Sequence, residues 1–430
     1  MKSSEILGLN ARSNLFSYQY NTAAAKRRAN SKLATKRALE KVGVPVPATY
    51  VKFITPRKIL KFDWGSLPDS FALKPNKGLG GEGILVAKKR TKDGLGWILV
   101  NKKKVTPEDL KLHALDILEG AFSMKNVPDV AFVEEYIGRH KVFRKYSYRG
   151  FPDLRVIVFN KVPVMAMMRI PTKESGGRAN LHQGAMAVGI DIATGITTRA
   201  YWHGKYIKYK PGTERKLHGI KIPNWTKVLK MAIECSMGTE LDYLGADIVL
   251  HPKKGPMVLE LNFQPGLSIQ LANVVGLRKR LERVQDLKVR DAEHGVKIAK
   301  ILFAGRFMDR VKVEEGIKTL RGIERVKVFS LKKKGKHVMA RIDTGAMRTS
   351  IDRELAEELG LLDESNILWK RKYAYRSSHG RQIRPVIGLT MRIAGRKIKT
   401  SASVANRAKM TTPLLIGRND LQGFLVNPTE

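Results

Sequence analysis

The sequence has little cysteine and no long apolar run. Its single cysteine, Cys235, excludes an internal disulfide framework and is typical of a protein that works in a reducing compartment. No uncharged apolar run reaches the length that a membrane-spanning helix needs, and the first residues, MKSSEILGLNARS, contain no apolar signal core. These absences predict a soluble, cytoplasmic protein with no membrane partner.

Acidic residues are scarce relative to basic ones. The 430 residues include 80 lysines and arginines but 39 aspartates and glutamates, which gives a formal net charge of +41. Such a field favours polyanions, so nucleotides, nucleic acids and acidic peptides are candidate ligands. The basic residues are spread along the whole chain, which leaves a general lysine and arginine bias as an equal alternative. The length allows two or three domains with cores of their own.

A glycine-rich stretch between two apolar strands, FALKPNKGLGGEGILVA at 71–87, is the most distinctive feature that is present. Its glycines remove side chains where a backbone approaches a bulky anion, and they permit the positive φ that turns N–H groups toward it. A dinucleotide-binding G-x-G-x-x-G motif requires a helix directly after the glycines, whereas ILVA favours a strand. We therefore predict a flap over phosphates with Lys74 at its entry. An ordinary glycine-rich hairpin is the alternative.

Oxygen-bearing side chains converge on a second predicted hairpin, GADIVLHPKKGPMVLELNF, which begins at Gly245. Counting outward from a turn centred on its two lysines places Asp247 opposite Glu260, and Asn262 follows on the same face. Three oxygen donors at one place suit Mg²⁺ that bridges nucleotide phosphates, and buried carboxylates are costly without a cation. A polar edge that faces solvent is the alternative.

The other segments predict alternating helices and strands. Helices are expected at 31–42 with Ser31 as N-cap, at 106–119, at 225–243 and over most of 271–308. VAFVEEYI at 130–137 predicts an apolar strand that ends in two carboxylates. LRVIVF and VPVMAMMRI flank the short turn Asn160-Lys161, which predicts a hairpin.

Taken in chain order, Lys74, EEYI at 134–137, DLR at 153–155, RANLH at 178–182, Asp247 and ELN at 260–262 form a recognisable series. The series resembles the ATP-grasp superfamily, most closely its RimK-type alpha-L-glutamate ligase branch and the proteins described as alpha-L-glutamate ligase-related. The resemblance covers residues 1–308, including a short N-terminal extension at 1–30. It implies an α+β ATP-grasp fold in which two α+β subdomains clamp ATP, with the flap over its phosphates.

The resemblance also implies roles for the matching residues, with ATP and Mg²⁺ or Mn²⁺ as cofactors. The nucleotide would contact Lys32, Lys74, Gly78, Gly80, Gly81, Gly83, Glu134, Glu135, Tyr136, Ile137 and Asp153. The metal would be held by Asp247, Glu260 and Asn262. Arg178 and Asn180 would face the γ-phosphate and an acyl phosphate. RimK-type enzymes usually carry a full domain before this region, which helps to form the acceptor site. Because this chain has only the short extension there, the resemblance does not define the acceptor.

The C-terminal part, at 326–430, follows a charged linker at 309–325 and resembles a different family. Asp343-Thr344-Gly345 after a predicted strand, LLIGRNDL near the end and RSSHGRQIRPV resemble retropepsin-type aspartic proteases, most closely the RimB-like branch labelled as ATP-dependent zinc proteases. The resemblance implies a mainly β domain. An aspartic site needs two carboxylates that share a proton, so a single Asp343 would act only in a homodimer.

Zinc has no support in the motifs, because the sequence has no HExxH and no cysteine–histidine cluster. A degenerate domain kept for dimerisation or peptide binding is the alternative to an active protease.

The sequence thus predicts an ATP-dependent carboxylate–amine ligase that forms an amide through an acyl phosphate, adding glutamate or a similar amino acid to a peptide or protein. The fused C-terminal domain would hydrolyse a related amide. Two alternatives stay open at this point: an aspartic-type protease that ATP binding regulates, and a non-catalytic basic protein that binds polyanions.

Overall fold

The computed structural model describes residues 5–78, 80–123, 126–303, 318–332, 334–373, 382–422 and 424–427. They belong to two compact units, Met1–Asp286 and Leu287–Glu430. The predicted limit at 308 differs from this division, because helix Ala292–Leu302 packs on a strand of the second unit and the Nε2 atom of His294 lies 3.0 Å from the carbonyl oxygen of Ile367. Within the described ranges, no helix combines the length and apolar character that crossing a membrane requires.

The first unit contains two sheets. The strands of the first sheet are β1 Thr49–Phe53, β2 Phe71–Pro75, β3 Leu85–Arg90, β4 Trp97–Leu99, β5 Lys104–Val105 and β6 Ala131–Glu135, in the order β1-β6-β2-β3-β4-β5. Strands β2 and β3 are antiparallel, with Phe71 opposite Ala87, so the glycine loop joins two strands as predicted. The predicted helix at 106–119 is also confirmed: it spans Pro107–Leu118 and begins with a capping box between Thr106 and Asp109.

The strands of the second sheet are β7 Asp153–Phe159, β8 Val162–Ile170, β9 Met186–Ile190, β10 Thr197–Trp202, β11 Lys205–Ile207, β12 Tyr243–His251 and β13 Gly255–Asn262, in the order β11-β10-β9-β8-β7-β12-β13. The predicted turn at Asn160 and Lys161 is confirmed, and both residues have positive φ. Helix Trp225–Thr239 packs on this sheet. It ends four residues before the predicted limit, because Glu240 adopts a left-handed conformation and Tyr243 begins β12.

The hairpin of β12 and β13 pairs Asp247 with Glu260, as the sequence predicts. The predicted turn is wrong in detail: His251 pairs with Gly255, so three residues rather than two form the loop. A register shift between Asp247 and Ile248 compensates for the longer loop. It is a β-bulge, which inserts one extra residue into one strand of a pair and is frequent beside functional sites.

Further helices of the first unit lie near both ends of its sequence and directly after β1. They are Ala23–Ala29, Lys32–Lys41, Pro56–Lys61, Ile269–Asn273 and Arg278–Val284, preceded by Leu9–Ala11, a π-helix Arg12–Ser17 and Tyr18–Tyr20. The rings of Phe16 and Tyr20 pack against Phe159 of β7, with centroids 5.5 and 4.8 Å away. Arg12 Nη1 donates to the carbonyl oxygens of Gln264 and Pro265, each at 3.2 Å. The N-terminal extension therefore packs against the second sheet.

The second unit is mainly β, as predicted for the C-terminal part. Its strands are β14 Lys318–Arg321, β15 Ile323–Phe329, β16 Gly335–Asp343, β17 Ser350–Asp352, β18 Ile367–Tyr373, β19 Gln382–Ile393, β20 Arg396–Ala405, β21 Leu414–Gly417 and β22 Phe424–Asn427, with helix Arg353–Glu358 after β17. Strand β14 lies inside the predicted linker and pairs in parallel with β22. Strand β15 pairs with both β16 and β19, which closes six strands into a ring. RSSHGR, at 376–381, lies outside the described residues.

Candidate active site

Two lysines share one buried carboxylate between helix Lys32–Lys41 and the first sheet. Strand β6 directs Glu134 inward, where only 4% of its side chain is exposed. Its Oε1 atom accepts a hydrogen bond from Lys74 of β2, and its Oε2 atom accepts one from Lys36 of the helix. Lys36 also donates to the hydroxyl of Thr49 at 3.2 Å. We call Lys36, Lys74 and Glu134 the lysine cluster.

The lysine cluster carries more positive than negative charge. Burial alone would raise the pKa of Glu134, but Lys74 and Lys36 hold that pKa below its usual value, so the carboxylate stays ionised at neutral pH. Burial lowers the pKa of Lys36, and Glu134 opposes this effect. One carboxylate therefore faces two cationic side chains, and an additional anion would be favoured beside them.

Lys32 contacts the glycine flap through its side chain. Its Nζ atom donates to the carbonyl oxygen of Gly78 at 2.8 Å. Burial lowers the pKa of Lys32, while the charge of Glu260 on β13 acts to raise it, so the two groups are close enough to interact. The predicted phosphate-side lysine thus contacts the first glycine of the flap.

The flap requires glycine at all four predicted positions. At Gly78 a Cβ atom would lie 2.3 Å from Pro75 Cγ, and the other three positions have positive φ. Gly80, Gly81 and Gly83 have φ of +62°, +81° and +68°, which side chains rarely adopt. The loop that carries Arg178 and Asn180 meets the flap: Asn180 Nδ2 lies 3.4 Å from the carbonyl oxygen of Gly80, and a Cβ atom on Gly81 would lie 3.9 Å from Arg178 Cδ. The structure therefore brings both predicted catalytic residues of this unit to the flap.

The segment after Glu134 leads from the lysine cluster to a small apolar cluster. Glu135 pairs with the exposed Lys254 and accepts the N–H of Ala48 at 3.3 Å. Ile137 is buried in a small cluster with Val249 of β12 and Met257 of β13. Burial raises the pKa of Tyr136. The segment thus joins the lysine cluster to a buried apolar cluster.

Two arginines and two aspartates form a second buried cluster, on the second sheet. Arg155 donates through Nε and Nη2 to both oxygens of Asp247, at 2.7 and 2.6 Å. Arg169 donates in the same way to both oxygens of Asp153, at 2.6 and 2.5 Å. Arg169 Nη2 also lies 2.9 Å from Asp247 Oδ2. We call these four residues the arginine network, in which charges of opposite sign are equal in number.

The two aspartates of the arginine network differ in pKa. Burial raises the pKa of Asp153 to about 6; Arg169 opposes this rise and the neighbouring Asp247 adds to it. Burial would also raise the pKa of Asp247, but Arg155 and Arg169 hold it below its usual value. The aspartate that both arginines contact is therefore the one that stays ionised to lower pH.

The predicted metal ligands lie together, but Asp247 is already engaged. Its Oδ2 atom accepts hydrogen bonds from Arg155, Arg169 and, at 3.2 Å, the Nδ2 atom of Asn262. Glu260 makes no hydrogen bond or ion pair with any described residue. Across the described ranges, no group of three or more His, Cys, Asp or Glu residues has the geometry of a metal site. The oxygens of Glu260 and Asn262 are thus more accessible to a cation than those of Asp247.

Two residues of these clusters, Lys36 and Arg169, were not predicted as site residues from the sequence. Lys36 lies one helical turn after Lys32, so the same helix face gives a signal for it. Arg169 ends an otherwise apolar strand, VPVMAMMRI, and a single charge at such an end is an available but weak signal. Asp153, predicted to contact the nucleotide, accepts two hydrogen bonds from Arg169, and its contact with the nucleotide stays a prediction.

In the second unit, Asp343 lies at the end of β16. Its Oδ1 atom accepts the N–H groups of Gly345 and Ala346, at 2.8 and 3.0 Å. Strand β16 pairs in parallel with β21, and Asp343 is opposite Gly417 of the LLIG segment. The two motifs that the sequence analysis associates are therefore adjacent in the sheet.

The first unit combines two sheets with their helices, a glycine flap and paired lysines. It also has oxygen donors on the hairpin of β12 and β13. These features together are typical of an ATP-grasp protein. The model of a family described as sugar-transfer associated ATP-grasp matches residues 11–286, which is more than half of the chain. The chain belongs to this family. The prediction of the ATP-grasp superfamily is thereby confirmed, while the RimK-type branch stays a prediction. No curated protein sequence matches the chain.

Several solved structures are similar to parts of the chain. The ATP-grasp ligase PsnB, in a complex with a precursor variant, Mg and ADP, is 16% identical with a TM-score of 0.33, covering 62% of each chain. A RimK domain protein from Sphaerobacter thermophilus is 11% identical with a TM-score of 0.35, covering 61% of this chain and 69% of its own. A Legionella pneumophila protein of unknown function, Lpg0085, is 16% identical with a TM-score of 0.18, covering 26% and 94%.

These similarities define neither a substrate nor an activity, because every TM-score is well below 0.5. The match also spans less than two thirds of the length of PsnB. Conclusions about the reaction therefore depend on the site of this chain.

The residues of the site fit a nucleoside triphosphate bound together with a divalent cation. The lysine cluster has one cation more than it has anions, and the flap glycines adopt the positive φ of anion-binding loops. Glu260 and Asn262 offer the oxygen ligands that Mg²⁺ prefers, and the described residues leave the carboxylate of Glu260 without a partner. Asp247 fits this role less well, because its Oδ2 atom already has three donors.

Proposed function

We propose that the first unit is an ATP-dependent carboxylate–amine ligase. The observation that carries the proposal is the unbalanced lysine cluster, in which Lys36 and Lys74 share Glu134 beside a glycine flap. Buried unbalanced charge is costly, so a phosphate chain next to these lysines is favoured. The first unit also contains the arginine network, and phosphoryl transfer is favoured by cationic side chains beside the negatively charged phosphoryl group and its acceptor.

Each side chain of the site has one proposed role. Lys32 and Lys74 bind ATP phosphates, and Glu134 fixes Lys74. Glu260 and Asn262, with Asp247 as a predicted third ligand, hold Mg²⁺, which when bound would offset charge on the phosphates. Arg178 and Asn180, which lie beside the flap, face the γ-phosphoryl group.

The reaction proceeds in two displacements. An oxygen of a substrate carboxylate forms a bond to the γ-phosphorus, the bond from that phosphorus to the bridging oxygen breaks, and ADP leaves. The nitrogen of an amine then bonds to the acyl carbon, the carbon–oxygen bond to phosphate breaks, and inorganic phosphate leaves while the nitrogen gives a proton to solvent. We propose glutamate or a similar amino acid and a peptide or protein as the two partners.

The test is nucleotide turnover by the full chain. ADP and phosphate release should require both a carboxylate and an amine in a screen of amino acids and acidic peptides, with mass spectrometry of the amide product. Lys74→Met should lower kcat/KM by roughly 100-fold or more, because a cation at the phosphates is lost. Lys103→Met, at an exposed position, is the matched control. Wild-type turnover in Lys74→Met, or release of ADP that is independent of both substrates, would contradict the proposal.

Peptide or amide hydrolysis is the second proposed function, assigned to the second unit. Asp343 supports it, because two N–H groups hold Oδ1 while Oδ2 has no hydrogen bond with a described residue. An aspartic mechanism needs two such carboxylates, so a homodimer is part of the proposal. Asp343→Asn should abolish hydrolysis and leave ligation unchanged, with the exposed Glu357→Gln as control. A strictly monomeric chain that still hydrolyses peptides would contradict this mechanism.

A further inference from the structure

Asp129 is a buried carboxylate at the base of the glycine flap, and one of its two oxygens has no partner. Only 7% of the residue is exposed. Its Oδ2 atom accepts the N–H group of Lys77 at 2.6 Å, whereas Oδ1 is buried without a hydrogen-bond donor among the described residues. A buried carboxylate oxygen without a donor is costly, and native proteins contain few of them. A cation beside Oδ1 would remove this cost.

The ammonium group of Lys32 lies beside this carboxylate. Its Nζ atom donates to the carbonyl oxygen of Gly78 at 2.8 Å, and Gly78 directly follows the residue whose N–H group Asp129 accepts. The N–H group of Lys32 donates to the carbonyl oxygen of Asn76 at 3.2 Å, so its backbone is attached to the same strand end. Burial lowers the pKa of Lys32, and the charges of Glu260 and Asp129 act to raise it. Lys32 and Asp129 are thus close enough to attract each other.

Both ends of the flap are attached to the same helix. At one end, the N–H group of Asp129 donates to the carbonyl oxygen of Leu118 at 3.2 Å. Leu118 ends a helix that also contains His113, and at the other end of the flap the Nε2 atom of His113 lies 2.8 Å from the carbonyl oxygen of Gly83. These contacts fix the flap base. The long side chain of Lys32 can therefore add or change a partner without a movement of that base.

We propose that Asp129 is a positioning residue of the nucleotide site, whose Oδ1 atom binds the ammonium group of Lys32 in the nucleotide complex. One carboxylate then holds the flap base through Lys77 and orients the lysine that contacts the phosphates. An ammonium group has three N–H donors, so Lys32 can bond a carboxylate and phosphate oxygens together. The proposal rests on the nucleotide site of the proposed function and does not depend on its ligase chemistry.

A water molecule enclosed beside Oδ1 is the competing partner. Lys32 is favoured over water because a hydrogen bond between an ammonium group and a carboxylate is charge-assisted, and such bonds are about twice as strong as neutral ones. The two partners differ in one measurable respect. If Asp129 acts through Lys32, the effect of removing its charge should disappear when Lys32 is already absent.

The experiment is a double-mutant cycle in the full chain with Asp129→Asn, Lys32→Met and the two substitutions together. Asn keeps an acceptor for the N–H group of Lys77 and has a similar shape, so the main change is the loss of charge. For each protein, calorimetry measures the Kd of Mg with a β,γ-imido ATP analogue in the absence of any ligase substrate. Asp69→Asn is the matched control, because 82% of the Asp69 side chain is exposed.

Asp129→Asn should raise the Kd of the analogue about tenfold, and Lys32→Met should raise it about tenfold or more. The double variant should bind the analogue as Lys32→Met does, within about twofold, because the two residues act as one unit. Asp69→Asn should bind like the wild type. Effects that multiply in the double variant would assign Oδ1 to water or to the flap backbone and overturn the proposal. An unchanged Kd in Asp129→Asn would overturn it as well.

Two further measurements separate the remaining outcomes. Urea unfolding shows whether each variant folds, and Asp129→Ser, with a smaller neutral side chain, replaces Asp129→Asn in the cycle if that variant does not fold. Turnover of ATP with amino acids and acidic peptides is measured for the wild type. Coupling between the two residues without substrate-dependent turnover would contradict the ligase function and leave the role of Asp129 standing. A wild type that binds no analogue would overturn the nucleotide site and the role of Asp129 together.

Discussion

The lysine cluster and the arginine network are both buried in the first unit, yet they balance charge differently. Lys36 and Lys74 share a single carboxylate, Glu134. Arg155 and Arg169 face two carboxylates, and every aspartate oxygen accepts at least one hydrogen bond. The network is thus complete without a ligand and can fix geometry, whereas the cluster needs a further anion to be neutral.

Removal of the anion from the lysine cluster should have the largest effect. Glu134→Gln leaves two nearly buried lysines without a counterion, and we expect the free energy of unfolding to fall by about 3–5 kcal/mol. Urea unfolding measures this change. The matched control is Glu135→Gln, whose partner Lys254 is 54% exposed, and there we expect at most about 1 kcal/mol. Equal losses in the two variants would show that the cluster does not depend on its anion.

The second largest effect is expected when the aspartates of the arginine network are substituted, and the two positions should differ in how much stability is lost. Asp247→Asn removes the charge that both arginines share, and we expect a loss of about 2–4 kcal/mol in the free energy of unfolding. Asp153→Asn should cost less, about 1–2 kcal/mol, since Arg169 keeps its contact with Asp247. Thermal and urea unfolding at neutral pH compare them, and a larger loss in Asp153→Asn would reverse the order that we assign.

A pH dependence of stability is the third expected difference. The pKa of Asp153 is raised to about 6, so between about pH 6 and pH 4 the folded chain binds a proton that the unfolded chain does not. Acidification from about pH 7 to pH 4.5 should therefore increase the stability of the wild type relative to Asp153→Asn by about 2 kcal/mol. The pKa of Asp247 is lowered, so its contribution is lost only below about pH 4. Urea unfolding across this pH range measures the difference, and a constant difference would contradict the assignment.

The sequence predicts well those parts of the site that depend on local pattern. The strands around the flap, the turn at Asn160, the capped helix after Thr106 and the pair of Asp247 with Glu260 all follow from alternation, turn residues or caps. Each of these signals depends on residues that are close together in the chain, so it can be recognised in a single sequence.

The partners of the charged residues could not be predicted in the same way. Lys36 and Glu134 are 98 positions apart, and Arg155 and Asp247 are 92 apart. Which carboxylate faces which cation depends on how strands and helices pack, and no local pattern records it. The role of Asp153 shows the result: its position in the site was predicted, and its guanidinium partner was not.

The bulge in the hairpin of β12 and β13 determines how abruptly the side chains along β13 change from apolar to charged. Strict alternation in MVLELN would put Met257 and Leu259 on the face opposite Glu260. The extra residue instead brings Glu260, opposite Asp247, to the same face as Met257, which is opposite Val249, because Asp247 and Val249 are two residues apart on β12. Leu259 packs against Met257 and Val249. A molecule lying along this strand thus passes from hydrocarbon to carboxylate within about 3.4 Å. Such a boundary favours ligands whose own polarity changes across one or two bonds.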